Sequence, residues 1–165
     1  MFTFTKKTDY ALLALSFLAT EGVGRLVGPR EIARRYEIPA ELLAKVMQTL
    51  AKSRLVASVP GPTGGYRLDR PAGDISVGDV VEAVDGPLAI AQCWEVSGTA
   101  GCAQARHCTL RGPLARIQEE MTRLLRAMTL EDVLTTDALP DLPIHRAAVT
   151  GFPLTMAASR TPAAN

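Results

Sequence analysis

The chain has 165 residues, 47 % of them hydrophobic and only 5 % aromatic, and a formal net charge of +1 at pH 7. That length suits one domain with an appendage and is small for an enzyme with a deep pocket. The near-neutral total hides an asymmetry: residues 1–70 carry eleven Lys/Arg against six Asp/Glu, a balance of +5, and the remainder carries −4. A basic half joined to an acidic half points to a nucleic-acid surface on the first.

Lys6 and Lys7 precede an apolar run from Ala11 to Ala19. Asp9 breaks into its start and no small-x-small cleavage site follows, so a signal peptide is not expected. The run is also far short of the roughly 20 residues that span a bilayer. It is read as a core helix over 7–21 in a cytoplasmic protein with no membrane partner. Ala11, Leu12, Leu15 and Leu18 recur at helical spacing, and Phe17 widens the stripe. Asp9 falls in the first turn, where the helix dipole favours a negative charge.

Gly22-Val-Gly24 ends that helix, and Gly28-Pro29 opens the next, because proline at the first helical position gives up no hydrogen bond. Over 29–36, Ile32, Ala33 and Tyr36 share one face, while Arg30, Arg34 and Arg35 lie off it. After a turn at Glu37-Ile38, Pro39 starts a longer helix to about Ser53. Leu42, Leu43, Val46, Met47 and Leu50 form its buried stripe, and Glu41, Lys45, Gln48, Thr49 and Lys52 its polar face. Two helices joined by a short turn match a helix-turn-helix, here about 28–53. Such a unit lays its second helix in the DNA major groove. Ala40, Glu41, Ala44, Lys45 and Gln48 are then placed to reach bases, and Arg30, Arg34 and Thr49 are further candidates for DNA binding.

Leu55–Val59 alternates as a strand, Pro60–Gly65 is a turn, and Tyr66–Leu68 returns, which makes a wing over about 55–68. Thr63, Gly64, Gly65, Tyr66 and Arg67 of this hairpin, with Arg54 at its base, complete the candidate DNA surface. Ser76 caps a helix over 76–84 whose core face is Val77, Val80, Val81 and Val84.

All three cysteines fall in the next stretch, Cys93, Cys102 and Cys108, among glycines and small polar residues. Core cysteines sit among leucines and valines instead. An odd number disfavours a closed disulfide set, and the paired Cys-x-x-Cys knuckles of a zinc site are missing. Thiolates on such a loop suit an iron–sulfur cluster. His107 and Asp9 are the candidates for a fourth ligand; His107 is equally well an exposed loop residue. His107 beside Cys108 is also the only approach to a catalytic pair, and with no orienting acid it predicts no enzyme.

Pro113 starts the last long helix, to about Met128. Leu114, Ile117, Met121, Leu124 and Met128 repeat in steps of three and four, the seam of a helix that pairs two chains. Arg116–Glu120 and Glu119–Arg123 are expected as ion pairs on the outer face. Thr129 caps a short helix to about Leu134, and 136–165, with scattered prolines and no period, is expected to be a flexible tail. The resulting organisation is 1–71 winged helix-turn-helix, 72–112 connecting helix and cysteine segment, 113–135 dimerisation and following helix, then the tail. The fold class is mainly α.

Lys7-Thr-Asp-Tyr-Ala-Leu12, Gly61-Pro-Thr-Gly-Gly-Tyr66, Ile75-Ser-Val-Gly-Asp-Val-Val-Glu-Ala-Val-Asp-Gly86 and the cysteine trio before a long helix resemble the IscR/NsrR family of bacterial winged-helix regulators over residues 1 to about 135. The resemblance implies a homodimer on a double-stranded DNA operator. It implies Cys93, Cys102 and Cys108 as ligands of an iron–sulfur cluster that responds to nitric oxide, redox state or cluster supply. Eight residues lie between the first two cysteines here, where the family commonly has five; the second gap, with five between, fits. Arg111 stands where IscR-like members place a histidine ligand, which leaves the NsrR-like arrangement, an aspartate from the partner's first helix, with Asp9 in that place. A 4Fe–4S cluster is the first expectation and 2Fe–2S the alternative. A repressor is expected, and the competing reading is a cluster-free regulator or protein-interaction module that uses the cysteine segment for thiol redox sensing. Pro60 stands where many relatives carry a basic residue before the wing.

Overall fold

Three short hydrogen-bond caps decide where the helices begin. The computed structural model describes residues 4–90 and 107–135, all within one unit, Met1–Thr135. Cys93, Cys102 and the expected tail lie outside the described residues. Thr5 caps α1 (Lys6–Thr20) by accepting the Thr8 N–H at 3.4 Å. Ser76 caps α4 (Val77–Asp85) in a reciprocal box: its hydroxyl accepts the Asp79 N–H at 3.0 Å and Asp79 accepts the Ser76 N–H at 3.3 Å. Thr129 and Asp132 do the same for the last helix, Leu130–Thr135, here α6.

Between α1 and α4 lie α2 (Pro29–Arg35) and α3 (Ala40–Lys52). The turn joining them closes with the Ile38 N–H on Ala33 O at 2.9 Å, which places Glu37 in the left-handed region at φ 54°. The end of α3 repeats the device: Leu55 N–H reaches Leu50 O at 3.0 Å across Arg54, at φ 56°. Such a conformation costs a non-glycine residue roughly 1–2 kcal/mol. It is held because Ile38 and Leu55, the residues that follow, are both buried.

β1 (Val56–Val59) and β2 (Gly65–Leu68) form the expected antiparallel hairpin, Val56 opposite Leu68 and Val59 opposite Gly65. Val27 extends it, because Val27 N–H donates to Tyr66 O at 2.9 Å and Tyr66 N–H to Val27 O at 2.8 Å. A Cβ at Gly65 would lie 2.7 Å from Val27 O, so this glycine is required by the strand beside it.

The long helix α5 spans Arg111–Ala127 and starts two residues before the expected Pro113. Proline is tolerated there because the first helical N–H groups have no partner within the helix. The chain then turns back. Val77 N–H donates to Met128 O at 2.8 Å and Leu130 N–H to Ile75 O at 2.7 Å, so the α5–α6 link pairs with the strand-like entry to α4. Gly78 lets α5 approach, since a Cβ there would meet the Arg126 side chain at 2.8 Å. The core is built from Leu15, Ile32, Leu43, Leu50, Leu55, Ile75 and Leu130, each worth about 1.5–3 kcal/mol on burial. Helix α5 buries no residue.

Candidate functional site

The helix-turn-helix presents its polar face as the pattern predicts. Leu43, Val46, Met47 and Leu50 of α3 are buried, and Leu42 is half-buried. Ala40, Glu41, Lys45 and Gln48 are exposed, whereas Ala44 and Thr49 are half-buried. The Thr49 hydroxyl donates to Lys45 O at 3.1 Å, within the helix. Arg30 and Arg34 stand exposed on α2. Tyr36 at the end of α2 packs edge-on against Phe17 of α1, ring centroids 6.2 Å apart, and so fixes the angle at which the unit sits.

In the wing, Thr63 and Arg67 are exposed, Gly64 is half-buried and Gly65 is buried. Tyr66 is half-buried against the core, and its backbone is engaged by Val27. Arg67 and Arg54 are thus the charged groups that the hairpin offers, and Gly65 and Tyr66 build it. Among the described residues Arg30, Arg34, Lys45, Arg54 and Arg67 have no ion-pair partner. Arg25, Arg35, Arg70, Arg123 and Arg126 are each paired with a carboxylate. Unpaired cations on one basic half are available to phosphates.

Two of the paired arginines are braces. Arg25 grips Glu31 at 2.7 and 3.0 Å, tying the loop after α1 to α2. These hydrogen bonds, more than the accompanying charge attraction, hold the Glu31 carboxyl below its ordinary range. Arg70, just past the wing, reaches Asp79 at 2.8 Å and so joins the wing to the cap of α4. On α5 the expected ion pairs Arg116–Glu120 and Glu119–Arg123 are replaced by Glu120–Arg123, three residues apart rather than four. Both spacings lie on one helix face, and the side chains choose the shorter reach.

Of the expected cluster ligands, Cys108 and Asp9 are described. Cys108 is exposed and free, three residues before α5. Asp9 is exposed in the first turn of α1, and its carboxylate has no hydrogen-bond or ion-pair partner among the described residues. His107 is exposed too. Within one chain no described group of three metal-ligating side chains comes together. Sequence reasoning missed two polar anchors around these donors. Asp85 accepts from Thr5 Oγ1 at 2.6 Å and Thr8 Oγ1 at 2.7 Å, fastening the end of α4 to the start of α1, beside Asp9. Gln118 of α5 binds the backbone of Leu88 and Ile90. The signal for Asp85 was its place at the last turn before Gly86; Gln118 carried none beyond its i, i+4 relation to Leu114 and Thr122.

A family of iron-dependent transcriptional regulators, Rrf2, matches residues 4–136. The chain belongs to the Rrf2 family. It is 32 % identical over 132 residues to the HTH-type transcriptional regulator NsrR of Oceanobacillus iheyensis, a match that covers 80 % of this chain and 89 % of that one. It is 31 % identical over 138 residues to the regulator IscR of Cronobacter sakazakii, covering 84 % and 83 %. Among solved structures, IscR of T. potens superposes with a TM-score of 0.62 at 26 % identity, covering 81 % of this chain and 86 % of that one. CymR, the global cysteine regulator of B. subtilis, superposes with 0.63 at 23 % identity, covering 83 % and 100 %, which shows the shared fold. This Rrf2 member is therefore a winged-helix transcriptional regulator, and its relatives are regulators rather than enzymes. Among the described residues no helix is long and apolar enough to cross a membrane.

Proposed function

We propose that this Rrf2 member works as a homodimer whose affinity for a double-stranded operator is set by an iron–sulfur cluster, held by Cys93, Cys102 and Cys108 of one protomer and the partner subunit's Asp9. The observation that carries the reading is a pair of exposed donors with no partner among the described residues: the Cys108 thiol ahead of α5 and the Asp9 carboxylate at the start of α1. Three soft thiolates and one carboxylate are a donor set that iron accepts. Bound there, a cluster would supply iron that nitric oxide or oxygen attacks, most readily at its carboxylate-held corner. A 4Fe–4S form fits four single donors; 2Fe–2S is the alternative.

The chain's own residues do the rest. Ligands drawn from two protomers tie α1 of one to the cysteine segment of the other. Asp85 fastens that same end of α1 to α4, and Arg70–Asp79 fastens α4 to the wing. The spacing of the two α3 helices then depends on whether the four ligands are gathered. Half-sites read by such dimers lie about 34–36 Å apart, so a small change in spacing alters affinity. Ala40, Glu41, Ala44, Lys45 and Gln48 face bases, while Arg30, Arg34, Arg54, Thr63 and Arg67 face phosphates. The seam on α5 supports the dimer: Ile117 is 50 % exposed in one chain, and Leu114, Met121, Leu124 and Met128 are half-buried.

Iron and sulfide analysis of anaerobically purified protein, followed by operator binding of the loaded and stripped forms, tests the proposal. Iron with sulfide, and a clear difference in affinity between the two forms, is expected. Iron-free protein, or equal affinity, overturns it. The exposed Cys108 thiol also supports a cluster-free reading in which oxidation of the thiols is sensed; it predicts that operator binding follows a mild oxidant in iron-free protein.

A further inference from the structure

The chain leaving α4 is held by a side chain. Oε1 of Gln118 accepts the Ile90 N–H at 2.9 Å. Its Nε2 donates to Leu88 O and, at 3.3 Å, to Thr122 Oγ1. The C=O of one residue and the N–H of the residue two further on face the same edge of an extended chain. The N–H and C=O of a single residue in a neighbouring parallel strand would pair with them, and the amide of Gln118 takes that place. Only the side-chain amides of Asn and Gln set an acceptor oxygen and a donor NH2 on one planar carbon, as these two contacts require, and Asn is one methylene shorter. Without the amide, a part-buried N–H and a part-buried C=O lose their partner.

The place of this clamp gives it a consequence. Ile90 is three residues before Cys93, and α5, which carries Gln118, begins three residues after Cys108. On the other side of Leu88, Gly86 turns the chain at φ 88°, and Asp85 is anchored to Thr5 and Thr8. The entry to the cysteine segment is thus fixed on both flanks, and its later flank is fastened to the helix at the segment's far end.

We propose that Gln118 is a positioning residue for the thiols. By docking Leu88–Ile90 on α5 it fixes the point from which Cys93 departs relative to Cys108, and so raises the effective concentration of one thiol near the other. The inference rests on the reading of Cys93 and Cys108 as ligands of one group, but its first test needs no metal.

In full-length, metal-free protein carrying Cys102→Ser, a short bis-maleimide either joins Cys93 to Cys108 within one chain or leaves two separate adducts, and mass spectrometry counts both. Gln118→Met keeps the side-chain length without the amide. It is expected to lower the intrachain cross-link by about fivefold, as expected when an effective concentration falls. Ile90 N–H should exchange faster with solvent, with the melting temperature nearly unchanged. In iron-loaded protein the same variant should release iron to a chelator about tenfold faster, the scale seen when groups that orient metal ligands are removed. An unchanged cross-link yield beside faster Ile90 exchange overturns the proposal and leaves Gln118 a merely structural clamp. Should Gln118→Met unfold, Gln118→Asn is judged by the same yield. Wild-type protein that holds no iron removes the cluster reading, and the cross-link yield still decides the role of Gln118.

Discussion

Helices α3 and α5 are both amphipathic, and the fold treats them in opposite ways. The 13 residues of α3 bury four apolar side chains, whereas the 17 residues of α5 bury none. Helix α3 satisfies its apolar stripe inside its own chain, so its place and the direction of its polar face are settled by the monomer. Helix α5 rests on α4 through Gly78 and leaves Ile117 half in solvent, so part of its apolar surface is unspent. On the proposed function, the difference separates a surface that would read DNA from a surface that would pair two chains. The same period of apolar residues thus means core in one helix and a half-exposed stripe in the other.

The largest effect that sharpens this contrast lies in α3. Leu50→Ala should lower unfolding free energy by about 2–5 kcal/mol, seen as an earlier denaturation midpoint, because a fully buried leucine leaves a cavity. A loss near zero would show that α3 is not seated as described. On α5, Ile117→Glu should spare the fold of each chain but shift the mass in light scattering from dimer to monomer. Operator affinity should fall at least about tenfold, a change of 1.4 kcal/mol. An unchanged dimer would reverse the assignment of that face. Lys45→Ala should cost about 1–3 kcal/mol of operator binding if it pairs with a base, with the loss concentrated at one operator position. A uniform loss with a shallower salt dependence would make it a phosphate contact instead.

Two smaller effects probe the turns and caps. Glu37→Gly should stabilise the fold by about 0.5–1 kcal/mol, since glycine relieves the positive φ and gives back part of the gain as chain entropy. Unfolding by urea would detect it, and a loss of stability would mean that the Glu37 side chain makes a contribution of its own. The least effect is acid fraying of α6. Hydrogen bonds from the Thr129 hydroxyl, and then from its backbone, hold the Asp132 carboxyl below its ordinary range. A depressed folded value stabilises above the unfolded pKa of about 3.9 and is lost as pH falls through the lower folded value. Protection of the amides at the start of α6 against exchange, measured relative to the intrinsic rate at each pH, should therefore fall on acidification before it does in the middle of α3, and Asp132→Asn should remove the dependence.

Much of the helix-turn-helix and wing was legible because it is local. The stripe of α3, the cap at Ser76, the cap at Thr129 and the hairpin each depend on residues within a few positions of one another. The period and the turn residues report them directly. Gly65 shows the limit: in the sequence it belongs with the wing glycines open to DNA, yet it is glycine because Val27, far along the chain, lies against it. The shift of α5 to Arg111 has the same character in small, since proline signals the first turn of a helix and not which position in it.

The sequence by itself determined the helix-turn-helix and wing, because short-range hydrogen bonding and apolar period impose them, and its motifs and grouped thiols carried the resemblance to the family. Only the tertiary structure decided that Met128–Leu130 returns to pair with Ile75–Val77, that Asp85 fastens α4 to α1, and that Gln118 grips the chain ahead of Cys93. Those contacts join residues 28 to 80 positions apart or close strand pairs across whole helices. No local propensity encodes them; they form where packing leaves a buried or half-buried polar group that must find a partner.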